Sequence, residues 1–557
     1  MRLKTILSGL LLLVALQSAS AQDNKEHNFD VSKNLDVFTT IYKYLDMMYV
    51  DTLNANTVVG TGINAMLRSL DPYTVYYPAN EVKDLKTMVT GKYAGIGAVI
   101  SYNSQIKRVC INEPYEDTPA ARAGLQKGDV ILAIDDSSMV DKNVSYVSEH
   151  LRGDAGTSFE LKVMRPTTGK TMKMTITRQS IALPAVTYYG VQPNGVGYLY
   201  LNSFTDDCSK DVRNAFIEMK QNGMKQLVLD LRNNGGGSLQ EAVNIVNMFV
   251  PKGLTLVTNK GKMSRANKEY TTTHEPIDTV MPIVVLVNGE TASASEITSG
   301  SLQDLDRAVI MGTRTYGKGL VQTTMDLPYN GSLKLTISKY YIPSGRCIQA
   351  LKYNHARGGY TEHVPDSLTH VFYTRAGREV RDGGGIKPDV EIVPDSMPNI
   401  AYYLSSSGID STSVMLNWEV NYRKTHKTIG PAATFMISDA EYEDFKQAVI
   451  KSGFSYDRGS EEVMKDLVKM AKFEGYYDEA KAEFEALQNK LKHNIAKDLD
   501  YNKDLIKTLL SSDIVSMYYF QRGKSHNLLQ SDKQWKEAVK LLQDPQRYAS
   551  ILKPNKE

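Results

Sequence analysis

Cysteine is scarce in this chain, and its few cysteines lie far apart in the sequence. The three are Cys110, Cys208 and Cys347 among 557 residues. An odd and scattered set predicts neither a disulfide framework nor a cysteine-based metal cluster, and it leaves room for one bridge at most. We therefore expect no metal site, and no motif in the sequence calls for a cofactor.

An excess of charge of either sign is also missing. Lysine and arginine number 65 and aspartate and glutamate 63, which gives a formal net charge of +2. This balance argues against nucleic acid or an anionic surface as the main partner. The apolar share of 42% is ample for buried cores. The length predicts a soluble globular protein of about three or four domains.

Long hydrophobic runs are missing everywhere except at the N-terminus. Met1–Ala21 begins with two basic residues among its first five, continues with the apolar run Ile6–Leu16 and ends in an Ala-Ser-Ala sequence. This order predicts a cleaved secretory signal peptide. A retained membrane anchor is the lesser alternative, because the run is well short of the ~20 residues that a membrane span needs.

A short apolar run near the middle of the chain is followed by a turn of small residues. Ile283–Val287 is uncharged and rich in β-branched residues, which predicts a buried strand. A helix-like segment then begins at Ser293, so this serine would lie on a sharp strand-to-helix turn with helix N-terminal amides nearby. The run Ser293-Ala294-Ser295-Glu296 also has the pattern of a capping box, and the two roles can coexist.

A lysine flanked by glycines, Lys318, follows this segment. The sequence Gly312–Lys318 nearly matches a phosphate-binding loop. However, Gly319 stands where that loop needs Ser or Thr, and the strand-like Leu320–Thr323 follows in place of a helix. We therefore reject nucleotide binding.

The two segments together resemble a known protease family. Thr291–Ile297 and Tyr316–Gln322 closely resemble, in sequence and in spacing, the C-terminal processing (tail-specific) peptidases, which are serine proteases with a Ser-Lys dyad. The resemblance implies that Ser293 is the nucleophile and that Lys318 is its general base. It also implies that Gln322 helps to orient the lysine, while the second serine of the motif is only a neighbour.

A catalytic lysine needs an unusual environment. An ordinary lysine has a pKa of about 10.4 and is a base only about one part in a thousand of the time near neutral pH. Lowering the pKa by about three units costs on the order of 4 kcal/mol, which burial or nearby cations must provide. The apolar and glycine neighbours of Lys318 favour such a pocket. The lysine would take the Ser293 proton and later return it to the leaving amine.

A glycine-rich loop, Gly235–Gly237, follows the predicted core strand Gln226–Asp230. Glycines allow positive φ and leave amides unobstructed, as an oxyanion-binding loop requires. By the family resemblance, the amides of Gly236 and Ala294 would form the oxyanion hole. The common family pattern has proline and leucine at positions 235 and 238, which this chain lacks, so the choice of donor stays open. A tight turn before a helix is the alternative.

Residues 86–180 resemble a PDZ domain. Gly95, Ile96, Gly97 and Ala98 stand where that family has its carboxylate-binding loop, whose amides can form a nest for a terminal carboxylate. Further matches follow in order: Thr118–Ala121, Ala123–Leu125, Lys127–Ile131, Leu151–Gly153 and Phe159–Val163. A bound tail would add as a strand, with its last apolar side chain in a pocket. The alternative is a small β-domain that only spaces its neighbours.

The resemblance covers residues 30–394 and implies a multidomain α/β fold. Its parts are an α/β serine-protease core, ClpP/crotonase-like by family resemblance, a PDZ β-domain, and helical N- and C-terminal regions. The predicted units are a signal peptide at 1–21, an N-terminal helical region at 22–85, a PDZ domain at 86–180, a Ser-Lys peptidase core at 181–398 and a helical extension at 399–557. Helical spacing of apolar residues predicts the terminal helices: Leu35, Val37, Phe38, Ile41 and Leu45, and then Phe484, Leu487, Leu491, Ile495 and Leu499.

We interpret the chain as a secreted serine endopeptidase, periplasmic by resemblance and signal type, that captures protein C-termini through its PDZ domain and cuts near them. The helical extension has a core or assembly role and is a candidate for homo-oligomer or adaptor contacts. Two alternatives stay open: a catalytically silent PDZ scaffold, and a Ser-His hydrolase on the same fold with His274 as the base. None of the nine histidines lies in the motifs, which weakens the second. We also hypothesise that the PDZ domain gates the site through the short joint Ser180–Val196.

Overall fold

The computed structural model describes residues 26–350, 353–354, 360–361, 365–406, 412–457, 459–491 and 494–554. The predicted signal peptide Met1–Ala21 lies outside the described residues. Within those ranges, no helix combines the length and the apolar character that a membrane crossing requires.

The N-terminal region is helical, as predicted, but it also contributes a strand. Its elements are α1 (26–48), α2 (Ala55–Arg68), β1 (Val75–Tyr77) and α3 (Val82–Thr90). Asn54 caps α2 by accepting a hydrogen bond from the Thr57 N–H. The chain turns after this helix because the Asp71 carboxylate accepts the N–H groups of Tyr73 and Thr74, both at 2.7 Å. The apolar face predicted for α1 is exposed along its length.

The next region forms a small antiparallel β-domain with two short helices. Its elements are β2 (Lys92–Gly95), β3 (Ala98–Asn103), β4 (Arg108–Pro114), α4 (Pro119–Arg122), β5 (Val130–Ile134), β6 (Ser137–Ser138), α5 (Val144–Leu151), β7 (Ser158–Arg165), β8 (Lys170–Thr177) and β9 (Gln179–Ala182). The main sheet has the order β3-β4-β5-β7-β8, and β2 pairs with β9. Strand β3 therefore lies at the edge of the sheet, where a further strand can add. Ile111, Ile131, Val147, Leu161 and Val163 are buried in its core.

The region that contains Ser293 is built on a six-stranded sheet. Its elements are β10 (Val186–Val191), β11 (Val196–Leu201), α6 (Cys208–Gln221), β12 (Gln226–Asp230), α7 (Leu239–Asn247), β13 (Thr255–Gly261), β14 (Lys268–Thr271), β15 (Ile283–Val287), α8 (Ala294–Asp304), β16 (Val309–Gly312), β17 (Leu320–Asp326), β18 (Ser332–Tyr341), β19 (Tyr353–Asn354), β20 (Tyr360–Thr361), β21 (Val371–Tyr373), β22 (Glu379–Arg381) and β23 (Val390–Glu391). The sheet order is β10-β11-β12-β15-β16-β23, and all neighbours except β10 and β11 run parallel. A second sheet, β1-β18-β13-β14 with β17 beside β18, stands next to it.

The central strand β15 is buried on both faces. Every residue of Ile283–Val287 is buried, which is the pattern of a parallel strand covered on both sides. Ile283, Val285 and Val287 pack with the core that includes α6, α7 and α8. Val284 and Leu286 pack on the opposite face against the end of the chain, including Trp535 and Leu541. The predicted strand is confirmed, and its lack of alternation follows from this double burial.

The C-terminal region is helical, as predicted, and its last two helices complete the core of the six-stranded sheet. Its elements are α9 (Asn399–Ser405), α10 (Val414–Thr425), α11 (Asp439–Ser452), α12 (Gly459–Glu474), α13 (Lys481–Leu491), α14 (Ile495–Tyr501), α15 (Lys503–Leu528), α16 (Lys533–Leu542) and α17 (Pro545–Ile551). The apolar series from Phe484 to Leu499 is divided between α13 and α14, because Asn494 starts a new helix by accepting the Lys497 N–H. Of the roles predicted for this region, the core role is confirmed for α16 and α17.

Candidate active site

Ser293 lies on the turn that joins β15 to α8, directly before the first helical residue. Its φ of 58° and ψ of −116° are in the positive-φ region that a residue with a side chain rarely adopts. The turn is held by Thr291, whose Oγ1 donates to the carbonyl of Leu231 at 2.9 Å. Strained serines on strand-to-helix turns are typical of exposed nucleophiles. Of the capping box predicted from the sequence, the Glu296 half is formed, because its carboxylate accepts the N–H of Ser293.

Lys318 lies between β16 and β17, where little of its side chain meets water. Burial and, to a smaller extent, the nearby Lys334 cation lower the pKa of Lys318 to about 8, while Glu296 and Asp71 act in the opposite direction. Its Nζ lies 4.8 Å from the centre of the Tyr73 ring. The environment that a lysine base requires is therefore present at this position.

The buried carboxylate of Glu296 joins the serine turn to the lysine segment. Its Oε2 accepts the N–H of Ser293 at 2.9 Å and the N–H of Lys318 at 2.8 Å. Its Oε1 accepts the N–H of Gly317 at 2.8 Å and the hydroxyl of Thr315 at 2.5 Å. Burial raises the pKa of Glu296, while these four hydrogen bonds oppose the rise. One side chain thus fixes the backbone of both predicted catalytic residues.

Tyr340 provides a second link between the same two residues. Its hydroxyl donates to the carbonyl of Lys318 at 2.7 Å and is 3.3 Å from the carbonyl of Ser293. The phenol is fully buried, and burial raises its pKa well above the usual value. It therefore stays a neutral donor near neutral pH.

The glycine-rich loop packs against the serine turn, as predicted, but the N–H of Gly236 is already used. It donates to Oδ1 of Asn234 at 2.9 Å. The Asn234 side chain is completely buried, and its Nδ2 donates to the carbonyl of Leu201 at 2.8 Å. A Cβ on Gly236, whose φ is +96°, would lie 2.8 Å from the nitrogen of Ala294, so only glycine fits beside the turn. In this arrangement the Gly236 N–H is used by Asn234, and its role as an oxyanion donor stays a prediction.

Gln322, on β17, belongs to a polar network beneath the lysine. Its Nε2 donates to Oγ1 of Thr336 at 3.1 Å. The N–H of Thr336 donates to Oγ1 of Thr74 at 3.3 Å, and that hydroxyl lies 3.0 Å from Oδ2 of Asp71. The Asp71 carboxylate also raises the pKa of Lys318. The network is therefore coupled electrostatically to the lysine through this carboxylate. The direct orienting role of Gln322 stays a prediction.

Comparison with known proteins agrees with this geometry. The chain matches the sequence model of peptidase family S41 over residues 195–355, that of the PDZ domain over 111–165, and that of a probable PDZ-protease C-terminal helical domain over 402–542. The carboxy-terminal-processing protease of Bartonella bacilliformis is 34% identical over 343 residues, which cover 61% of this chain and 77% of that protein. The chain belongs to peptidase family S41. It is a serine-type peptidase with a PDZ domain.

Two further relatives match about two thirds of this S41 peptidase. A probable CtpA-like serine protease of Staphylococcus epidermidis is 31% identical, over 62% of this chain and 70% of that protein. Among solved structures, a photosystem II D1 C-terminal processing protease is 28% identical, over 67% of this chain and 92% of that one, with a TM-score of 0.34.

His274, the candidate base of the Ser-His alternative, does not lie in the site of this S41 peptidase. It is exposed, between β14 and β15, and its Nδ1 is 3.0 Å from the hydroxyl of Thr273. Its backbone is held by Asn247 of α7, whose Nδ2 donates to the His274 carbonyl at 2.8 Å. The geometry therefore gives that alternative no support. Among the described residues, no group of three or more His, Cys, Asp or Glu side chains is placed to hold a metal ion.

The predicted carboxylate-binding loop of the PDZ domain lies between β2 and β3. Ile96 is buried, and Gly97 has a φ of +76°. A Cβ on Gly97 would lie 2.4 Å from the Cβ of Thr118, whose hydroxyl donates to the Gly97 carbonyl at 2.9 Å. The loop leads directly into the edge strand β3, which is where a bound tail would add.

Sequence reasoning missed three residues that shape the environment of Lys318: Asp71, Tyr73 and Lys334. The first two precede β1 in the chain, and they reach the site because β1 pairs with β18. Lys334 lies on β18, directly across from Val75. Glu296 was identified as a capping residue, and its position three residues after the serine was the signal for its larger role.

Proposed function

We propose that this S41 peptidase is a secreted endopeptidase that binds protein C-termini through its PDZ domain and cleaves near them with a Ser293-Lys318 dyad. The observation that carries the proposal is the Glu296 carboxylate, which accepts the N–H groups of both residues at 2.8–2.9 Å. The pKa of Lys318, lowered to about 8 mainly by burial, supports its role as base. The name of the Bartonella relative, carboxy-terminal-processing protease, agrees with cleavage near a C-terminus.

Acylation would begin with the neutral amine of Lys318. It takes the proton of the Ser293 hydroxyl as the oxygen attacks the scissile carbonyl, and a tetrahedral intermediate forms. Lys318, now protonated, gives the proton to the departing amine, which leaves Ser293 acylated. At pH 7.5 a lysine with a pKa of about 8 is neutral in about a quarter of molecules. The neutral fraction of an ordinary lysine is only about one part in a thousand near neutral pH.

Deacylation would reverse the roles of the same groups. Lys318 takes a proton from a water molecule that attacks the ester, and it returns the proton to Ser293 as the acid product leaves. The negative oxygen formed in each step needs N–H donors close by. Ala294 opens α8 beside the serine, and Gly236 would become a second donor once Asn234 releases its N–H.

The remaining parts of the proposal concern architecture and location. Five parallel strands with helices on both faces support the ClpP/crotonase-like core that the family resemblance implies. The edge position of β3 supports tail binding by strand addition. The basic start, apolar run and small-residue end of Met1–Ala21 support export and a periplasmic location.

The test is cleavage of a denatured protein with an apolar tail by purified Gln22–Glu557. We expect cleavage of the substrate with a free terminal carboxylate, and a kcat/KM about tenfold lower when the terminus is amidated, because charge-assisted hydrogen bonds to loop amides are lost. Products are followed by mass spectrometry. Ser293→Ala, with its fold checked by circular dichroism, is the negative control.

Equal rates on the acid and the amide would contradict tail recognition by the PDZ domain. Cleavage by Ser293→Ala would contradict the assignment of the nucleophile. Tail binding without any cleavage by the parent protein would favour the silent scaffold.

A further inference from the structure

Arg232 joins the C-terminal helices to the start of the glycine-rich loop. It lies between the end of β12 and Gly235, and its side chain binds the start of α16. Its Nη1 donates to Oδ1 of Asp532 at 3.1 Å, and its Nη2 donates to Oδ2 of the same carboxylate at 2.6 Å. Nη1 also donates to Oε1 of Gln534 at 2.9 Å. The bidentate pair with Asp532 adds a fixed geometry to the attraction of the charges.

A second carboxylate, that of Asp230, holds the same guanidinium from the side of the sheet. Nε of Arg232 donates to its Oδ1 at 2.9 Å, and Nη2 also donates to its Oδ2. The hydroxyl of Tyr198 and the backbone N–H of Arg232 donate to this carboxylate at 2.6 and 2.9 Å. Every N–H group of the guanidinium therefore has an acceptor, so the orientation of the side chain is fixed.

The backbone on both sides of Arg232 is bound to the serine turn. On one side, the carbonyl of Leu231 accepts the hydroxyl of Thr291 at 2.9 Å. On the other side, the N–H of Asn233 donates to Oδ1 of Asn288 at 3.0 Å, and Nδ2 of Asn288 donates back to Oδ1 of Asn233 at 2.8 Å. A shift of Arg232 would therefore change the position of the glycine-rich loop relative to the serine turn.

The loop that follows Arg232 needs support from its neighbours. Asn233 has a φ of 60°, in the left-handed region that residues other than glycine rarely adopt, and Gly236 and Gly237 have φ values of 96° and 144°. Glycine loses more conformational freedom on folding than any other residue, so a run of glycines does not hold one shape by itself. The shape of this loop therefore depends on the side chains that flank it, among them Arg232.

We propose that Arg232 is a positioning residue of the peptidase reaction, held by Asp532 of the C-terminal helical region so that the glycine-rich loop keeps its place beside the serine turn. This inference rests on the proposed function, in which Ser293 is the nucleophile and the loop faces the negative oxygen. It adds that the helical region acts on the rate of the reaction, although it contributes no residue to the Ser293-Lys318 dyad.

The effect of Arg232 should be confined to the steps in which the negative oxygen forms. The substrate carbonyl carries no such charge before the serine attacks, so a displaced loop should lower kcat and leave KM unchanged. The pH profile should keep its midpoint, because the side chain of Arg232 is bound to Asp230, Asp532 and Gln534 and not to Lys318. A general loss of structure would instead change kcat, KM and the midpoint together.

The experiment replaces Asp532 by asparagine in the chain without its predicted signal peptide. Asparagine keeps the oxygen that accepts the Trp535 N–H and caps α16, but its NH₂ group takes the place of Oδ2 and cannot accept from Nη2 of Arg232. Because Asp230 still pairs with Arg232, no uncompensated buried charge remains. Asp544→Asn, the same change at the N-cap of α17, is the matched control.

Two kinds of measurement follow the reaction: hydrolysis of the tailed protein, and inhibition by a peptide aldehyde. The Ser293 oxygen adds to the aldehyde carbon and forms a tetrahedral adduct, whose oxygen lies where the negative oxygen of the reaction forms. A displacement of about 1 Å lowers rates about a hundredfold, and the loss of one of two carboxylate partners should displace the loop by less.

We expect Asp532→Asn to lower kcat about tenfold and to raise the inhibition constant of the aldehyde by about the same factor, with KM and the pH midpoint unchanged. Arg232→Lys keeps the charge but loses the fork of donors, so it should lower kcat further, by about a hundredfold. Asp544→Asn should match the parent. Circular dichroism and urea unfolding check that each variant is folded.

A folded Asp532→Asn protein with unchanged kcat and inhibition constant would overturn the inference, while the parent still cleaves through Ser293. An equal loss in Asp544→Asn would also overturn it, because the change of a helix cap would then explain the effect. So would a shifted pH midpoint, which would place the effect on Lys318. Cleavage that survives Ser293→Ala would instead overturn the proposed function, and the inference with it.

Discussion

Replacement of Lys318 by methionine is expected to lower kcat/KM by about 10²- to 10⁴-fold, the usual contribution of a positioned general base. Methionine fills a similar volume but cannot take the Ser293 proton. The substitution also removes a buried amine, so the folded state should not lose stability through an unpaired charge. Hydrolysis of the tailed protein and urea unfolding measure the two effects separately. Lys339→Met, at an exposed position of β18, is the control.

The pH dependence of the parent enzyme checks the same assignment. Only the neutral form of Lys318 is a base, so kcat/KM should rise with pH, reach half of its maximum near the pKa of about 8, and become constant above it. Lys334→Met should move the midpoint to higher pH, because it removes the neighbouring cation that helps to lower this pKa. A profile that levels off near pH 6 would point to another base, and so would activity retained by Lys318→Met.

Local sequence patterns predicted the central strands and the serine turn well. The strands β12 and β15 coincide with the apolar runs at Gln226–Asp230 and Ile283–Val287. Such runs are easy to recognise in a sequence because a strand buried on both faces is apolar throughout and does not alternate with polar residues. The turn after β15 was equally clear, since its small residues and Glu296 form one local motif.

Contacts between distant parts of the chain could not be predicted in the same way. Nothing near Trp535 indicates that α16 covers the sheet of the peptidase core, because an amphipathic helix does not specify its partner. The pairing of β1 with β18, which brings Tyr73 to Lys318, depends on register between strands far apart in sequence. The hydrogen bond that Asn234 makes to the Gly236 N–H depends on a single rotamer in a buried loop.

The PDZ domain contacts the C-terminal helical region as well as being linked to the peptidase core through Ser180–Val196. Any movement of the domain would have to break these contacts or carry them along. Lys127 of the PDZ domain is buried, and its Nζ lies 2.7 Å from Oε2 of Glu419 on α10. Asn103 at the end of β3 donates through Nδ2 to Oδ1 of Asn417 at 2.9 Å. Separating a buried ion pair leaves an uncompensated charge, which is strongly unfavourable. A gating motion would therefore carry α10 along with the PDZ domain, or it would be small.

Replacement of Glu296 by glutamine is expected to damage both the fold and the activity. Glutamine has the same shape, but one carboxylate oxygen becomes an NH₂ group, which donates and cannot accept. Two of the four donors that face Glu296 would then lose their acceptor in a site that water does not reach. Each buried unsatisfied donor costs about 1–3 kcal/mol of the free energy of unfolding.

We expect a loss of activity because two of these donors are the backbone N–H groups of Ser293 and Lys318. The N–H groups of Ser293 and Lys318 share Oε2 of Glu296, so a change there alters the relative position of the proposed nucleophile and its proposed base. A displacement of about 1 Å lowers rates about a hundredfold. We therefore expect kcat to fall about that far while the midpoint of the pH profile stays near the pKa of Lys318. Glu290→Gln, the same change at an exposed position of the same turn, should alter neither kcat nor urea unfolding. A Glu296→Gln protein as stable and as fast as the parent would show that Ser293 and Lys318 are held together by other contacts, with Tyr340 as the first candidate.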